Sequence, residues 1–140
     1  VSAKRILLVD DYPDALEIWG LYLRSMGYEV RTAQDGLGAV NDAHEFLPDV
    51  IVMDLELPGI SGFEAAQRLR GAADTRGIPL LAATGYSGQK HRDQAREAGF
   101  DALIVKPCEP SVLLSEIERL LQAKAEAHQE LPVKRLRHNR

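Results

Sequence analysis

The feature that most narrows what this 140-residue chain can fold into is the stretch Val50-Ile51-Val52-Met53-Asp54, an apolar run that ends in a carboxylate and is followed by Leu55-Glu56-Leu57-Pro58-Gly59. Four consecutive apolar residues, with Pro48 before and Pro-Gly after, predict a strand buried on both faces of a parallel sheet. In open α/β sheets the carboxyl ends of the strands are where ligands bind, so Asp54 stands where a functional acid would stand. The plainer reading of the same position is an Asp that caps the next turn.

The design recurs along the chain. Ile6-Leu7-Leu8-Val9 ends in Asp10-Asp11, residues 78–83 end in Thr84, and Ala102-Leu103-Ile104-Val105 ends in Lys106-Pro107. Residues 28–33 alternate and predict a further strand with one wetter face near a sheet edge. Helical stretches separate these runs. The first opens at Tyr12-Pro13-Asp14 and predicts a buried stripe of Ala15, Ile18, Trp19, Tyr22 and Met26, leaving Leu16, Gly20 and Leu23 as a candidate partner patch. The second places Leu37, Val40, His44 and Leu47 on one side, with His44 read as a rim or packed residue rather than a ligand. The third begins at Ser61-Gly62-Phe63-Glu64, a capping-box pattern, and turns Phe63, Ala66 and Leu69 inward. The fourth, 89–98, has little apolar surface beyond Ala95 and Ala98. The last begins at 109–111, buries Val112, Leu113, Ile117, Leu120 and Leu121, and is expected to stop at Leu131-Pro132 before a loose basic tail.

Strand and helix alternate five times, which predicts an α/β fold: a doubly wound five-stranded parallel sheet with strand order 2-1-3-4-5. The expected organisation is one domain over residues 1–123, followed by a helix extension and basic tail or linker over 124–140. Charge supports the division: residues 1–123 hold 12 Lys and Arg against 19 Asp and Glu, and residues 124–140 hold 5 against 2. An acidic body argues against direct nucleic-acid binding. A single cysteine, Cys108, excludes an intrachain disulfide, and the four scattered histidines lack metal-ligand spacing. No run is long enough for a membrane span and residues 1–10 lack signal-peptide architecture, so a cytoplasmic location is expected.

The predicted strand order brings Asp10, Asp11, Asp54, Thr84 and Lys106 to one edge of the sheet. Three carboxylates close together repel unless a hard divalent cation joins them, and Mg²⁺, held by few carboxylates and water, suits such a set. A cation on the acids with Lys and Thr opposite leaves Asp54 as an anionic nucleophile among groups that neutralise phosphoryl oxygens, which points to phosphoryl transfer onto an aspartate.

As a spaced set, Asp10-Asp11, Met53-Asp54 with Leu57-Pro58-Gly59 and Gly62, Ala83-Thr84-Gly85 and Lys106-Pro107 resemble the receiver domain of two-component response regulators, the CheY-like family with a flavodoxin-like fold, over residues 4 to about 123. The resemblance implies that Asp54 is the phosphoacceptor and that Asp11, Asp54 and the backbone carbonyl of Glu56 hold Mg²⁺, with Asp10 acting partly through water. It implies that Thr84 and Lys106 bind the phosphoryl group, that Lys106-Pro107 is cis, and that Glu56 and Tyr86 tune phosphoryl lifetime. The implied partners are a histidine kinase or histidine phosphotransfer protein and a downstream protein target. Such a chain catalyses only its own phosphorylation and dephosphorylation, as a conformational switch or phosphorelay station. One departure stands out: three residues before the Lys, where the family carries a switch aromatic, this chain has Leu103, a feature also found in receivers attached to hybrid kinases. Leu103 is what favours the alternative, an interaction module of the same fold that signals without phosphate. An aspartyl-nucleophile hydrolase fits less well, since Glu56 stands where its second Asp is expected and a cap domain is missing.

Overall fold

The computed structural model describes residues 2–138, with side chains from 2 to 128. Five strands, β1 (Arg5–Val9), β2 (Glu29–Ala33), β3 (Val50–Asp54), β4 (Leu80–Thr84) and β5 (Ala102–Val105), alternate with helices α1 (Pro13–Ser25), α2 (Gly36–Phe46), α3 (Gly62–Gly71), α4 (Gln89–Ala98) and α5 (Pro110–His138). All strand pairs are parallel and the sheet order is β2-β1-β3-β4-β5, as the alternation predicts.

Successive side chains of a strand point to opposite faces, and each central strand divides its apolar residues accordingly. Leu7, Val9, Ile51, Met53, Leu80 and Ala82 pack with α2, α3 and α4 in one half-core. Ile6, Leu8, Val50, Val52, Leu81 and Ala83 pack with α1 and α5 in the other. Continuous apolar runs are therefore what burial on both faces demands. The register pairs Val9 with Met53, Asp54 with Ala83 and Thr84 with Val105, so the polar residues that close these strands come level at one edge.

Two helices turn a different face inward from the one expected. In α1 the buried residues are Leu16, Trp19, Gly20 and Leu23, while Ile18 and Met26 are 58% and 52% exposed. This helix is apolar nearly all round, so two stripes one residue apart satisfy the same periodicity. Packing against the sheet selects the one holding Leu16, Trp19 and Leu23. The proposed patch of Leu16, Gly20 and Leu23 is thus core, and the exposed apolar face of α1 carries Ile18 and Leu21. In α2 the inward residues are Gly36, Ala39, Ala43 and Phe46, with Leu37 and Leu47 exposed and His44 at the rim, its Nδ1 2.7 Å from Asp74 Oδ2. The small face permits close approach: a Cβ on Gly36 would lie 2.5 Å from Ile60 Cγ1.

In α3, Ala65 joins Ala66 and Leu69 inside, Phe63 is half-buried, and Ser61 Oγ accepts the Glu64 N–H at 3.2 Å. The Glu64 carboxylate turns instead to Arg68, so only half of the capping box forms. In α5, Val112 is exposed and Leu114 takes its place in the core. The backbone of α5 also runs through Leu131-Pro132 to His138, past the expected stop. A proline costs a helix interior about 3 kcal/mol, and here it is flanked upstream by a long run of good helix formers.

Candidate functional site

The strand ladders extend into the residues that follow them and so fix where their side chains begin. Asp10 N–H donates to the Ala33 carbonyl at 3.1 Å, and Lys106 N–H donates to the Thr84 carbonyl at 2.7 Å. The Lys106-Pro107 peptide bond is cis. From these anchors the Lys106 ammonium reaches across the edge, with Nζ 2.9 Å from Asp10 Oδ2 and 3.1 Å from Asp54 Oδ2. The other oxygens are held by backbone: Asp10 Oδ1 accepts the Tyr12 N–H at 2.9 Å and Asp54 Oδ1 accepts the Glu56 N–H at 3.0 Å.

Burial makes this set electrostatically tense. Asp10 and Asp54 are 3% and 8% exposed, and Thr84 is fully buried, while Asp11 is exposed. Burial pushes the Asp54 carboxyl above the ordinary carboxylate range. The Glu56 N–H and the Lys106 ammonium oppose this, and the Asp10 charge adds to it. Burial alone would lower Lys106, but its hydrogen bonds and attraction to Asp10 and Asp54 hold it above the usual lysine value. One ammonium thus serves two buried carboxylates with a third beside them, and oxygens of Asp10, Asp11 and Asp54 lie within 4.8 Å of one another. That cluster is underneutralised and made of hard oxygen donors, the chemistry that fits Mg²⁺.

Every predicted site residue comes to this edge. Thr84 Oγ1 accepts the Tyr86 N–H at 3.2 Å, leaving the hydroxyl proton to donate elsewhere. Glu56 contributes its N–H, and its side chain is exposed. Two contributors, and one neighbour outside the site, were not foreseen by their role. Tyr12 orients Asp10 through its backbone, which no side-chain motif signals. Gly62 lets α3 approach β3, since a Cβ there would lie 2.3 Å from the Asp54 carbonyl oxygen. His91 packs nearby against Phe63 and Tyr86, and its place in a polar helical stretch gave no sign of that.

A cavity of about 490 Å³ opens at the opposite edge, lined by Arg70, Arg76, Pro79, Asp101, Arg119 and Lys124. Three of its four cations are engaged within the fold: Arg70 donates to the carbonyls of Arg76, Ile78 and Gly99 and to Asp101, Arg119 pairs with Glu116, and Lys124 bonds the Gly77 carbonyl. The convergent reactive groups are at the acidic edge.

A family model described as the response regulator receiver domain matches residues 6–118. The polar-differentiation response regulator DivK of Brucella anthropi is 32% identical over 104 residues, covering 74% of this chain and 85% of that protein. The response regulator PleD of Caulobacter vibrioides is 34% identical over 122 residues, 87% of this chain but 27% of its own length. Several other curated relatives are likewise longer, with the chain spanning about half of them. Among solved structures, the receiver domain of a sensor histidine kinase of Pseudomonas aeruginosa, with a magnesium ion coordinated in its active-site cleft, superposes with a TM-score of 0.80 at 31% identity, covering 86% of this chain and 99% of that one. The chemotaxis response regulator CheY4 of Vibrio cholerae gives 0.81 at 29% identity, covering 85% and 99%.

Proposed function

We propose, since this chain belongs to the response regulator receiver domain family, that it accepts a phosphoryl group on Asp54 from a phosphohistidine of a kinase or phosphotransfer protein. The observation that carries this reading is the Lys106 ammonium shared between two buried carboxylates, Asp10 and Asp54, at the sheet edge. Asp10, Asp11, Asp54 and the Glu56 carbonyl would hold Mg²⁺, which supplies positive charge against the transferring phosphoryl oxygens.

In the transfer an Asp54 carboxylate oxygen forms a bond to phosphorus as the bond to the donor imidazole nitrogen breaks, and that nitrogen leaves with the electron pair. The burial of Asp54 and three further residues of the chain make this favourable. Burial strips water from Asp54 and sharpens every nearby charge. The Glu56 N–H fixes one carboxylate oxygen and so limits the directions of approach. Lys106, already beside Asp54, passes from carboxylate to phosphoryl oxygen without moving far, and the Thr84 hydroxyl has a proton to donate to a second oxygen. The exposed apolar residues Ile18 and Leu21 of α1 offer the donor a contact surface, in place of the buried Leu16, Gly20 and Leu23. The unit doing this is residues 1–123, with 124–140 a helix extension and basic tail or linker.

The test is incubation with Mg²⁺ and acetyl phosphate followed by intact-mass measurement. One phosphoryl adduct is expected on the wild type, none without Mg²⁺ and none on Asp54→Asn. No adduct here or with histidine kinases would favour a phosphate-independent interaction module.

A further inference from the structure

Asp54 and Thr84 lie on neighbouring strands, and the segments that follow those strands meet again in an aromatic cluster beside the site. The His91 ring, on the first turn of α4, stands 5.4 Å from Phe63 with planes at 79°, and 5.2 Å from Tyr86 at 49°. Phe63 follows Gly62, which rests against the Asp54 carbonyl. Tyr86 gives its N–H to the Thr84 hydroxyl oxygen. A continuous path therefore runs from the Asp54 peptide through Gly62, Phe63, His91 and Tyr86 to Thr84 Oγ1.

Helix α4 has few other anchors. It buries only Ala95 and Ala98, both in its second half, and its N-cap, Gly88, makes no side-chain capping bond. Toward β5 a cavity of about 130 Å³, lined by Arg92, Ala95, Arg96, Phe100 and Leu103, leaves the contact loose. His91 is thus what ties the first half of α4 to the body. Its Nε2 is buried without a hydrogen-bond partner. Packed, the ring gains aromatic contact and lacks a hydrogen bond. Released, it gains the bond from water and loses the contact. A ring held between such opposing terms is one that a small change at the site can shift.

We infer that His91 is a positioning residue that couples α4 to the acidic site, carrying displacement of Thr84 or of the Asp54 peptide into α4 through Phe63 and Tyr86 rather than through residue 103. This coupling rests on the reading of Asp54 as phosphoryl acceptor, and it supplies the output route that Leu103 leaves open.

Amide NMR shifts of residues 89–98, with and without Mg²⁺ and excess acetyl phosphate, read the coupling while intact mass reads the adduct. The wild type is expected to shift throughout α4 on adduct formation. His91→Ala is expected to form the adduct equally well yet lose most of the α4 response, His91→Phe to retain it because the ring is kept, and Leu103→Ala to respond like the wild type. A full α4 response in His91→Ala, its loss in His91→Phe, or its loss in Leu103→Ala overturns the inference. If the wild type forms no adduct, the acceptor reading fails, and the resting protein still decides this one. Exchange of the Tyr86 amide should then quicken on the order of tenfold in His91→Ala, and unchanged protection counts against the coupling.

Discussion

At the scale of single residues, the acidic site carries a cost in stability. The folded state raises the Asp54 carboxyl above its ordinary value, so it binds a proton more readily than the unfolded chain does. Between the ordinary and the raised value, stability therefore rises as pH falls, and ionised Asp54 is a net burden at neutral pH. Asp54→Asn is accordingly expected to raise the melting temperature of the metal-free protein by a few degrees, with Lys106 still paired to Asp10. Mg²⁺ in large excess should stabilise the wild type by about 3–4 kcal/mol if present at hundreds of times its dissociation constant, and the Asn variant by much less; equal stabilisation in a thermal melt would remove Asp54 from the metal set. Gly62 has a sharper constraint. A methyl there meets the Asp54 carbonyl at 2.3 Å, so Gly62→Ala should cost about 1–3 kcal/mol by denaturant titration and slow the appearance of the acetyl-phosphate adduct.

At the scale of elements, the chain shows where periodicity is decisive and where it is not. The strands were legible because apolar runs between turn residues leave few alternatives, and the site was legible because each run ends in a polar residue at the same edge. In helix α4 the two buried residues, Ala95 and Ala98, were equally plain, whereas the inward turn of His91 in a polar stretch was not. In α1 and α2 the pattern failed for a physical reason: a helix apolar on several faces, or one packing through small residues, does not announce which side the sheet will take. The corrected α1 face is testable. Leu23→Ala should cost about 2–5 kcal/mol, whereas Leu21→Ala should stay within about 0.5 kcal/mol, measured as urea midpoints at constant slope. Placing Asp at Ile18 and Leu21 should slow phosphotransfer from a protein donor while leaving acetyl-phosphate labelling intact, and equal slowing of both would argue for damage to the fold instead.

At the scale of the molecule, the body and the residues beyond 123 separate in charge. Among the described residues, the core contacts of α5 end at Leu120 and Leu121, and beyond them Lys124 bonds the Gly77 carbonyl. A chain ending at Ala123 should keep full acetyl-phosphate labelling and lose about 1 kcal/mol with that bond; loss of labelling would place part of the reaction machinery in the extension. The two edges of the sheet differ in a further respect. At the edge away from the acids, the Arg70 guanidinium spends all five of its N–H groups, joining the end of α3, the entry to β4 and the α4–β5 turn. It acts as a rivet through three layers, and a plate riveted at one end can only swing about the rivet. Helix α4 runs from Gln89 to Ala98 and is capped by Gly99, under that guanidinium, so a displacement of this helix would pivot at Ala98 and sweep widest at Gln89.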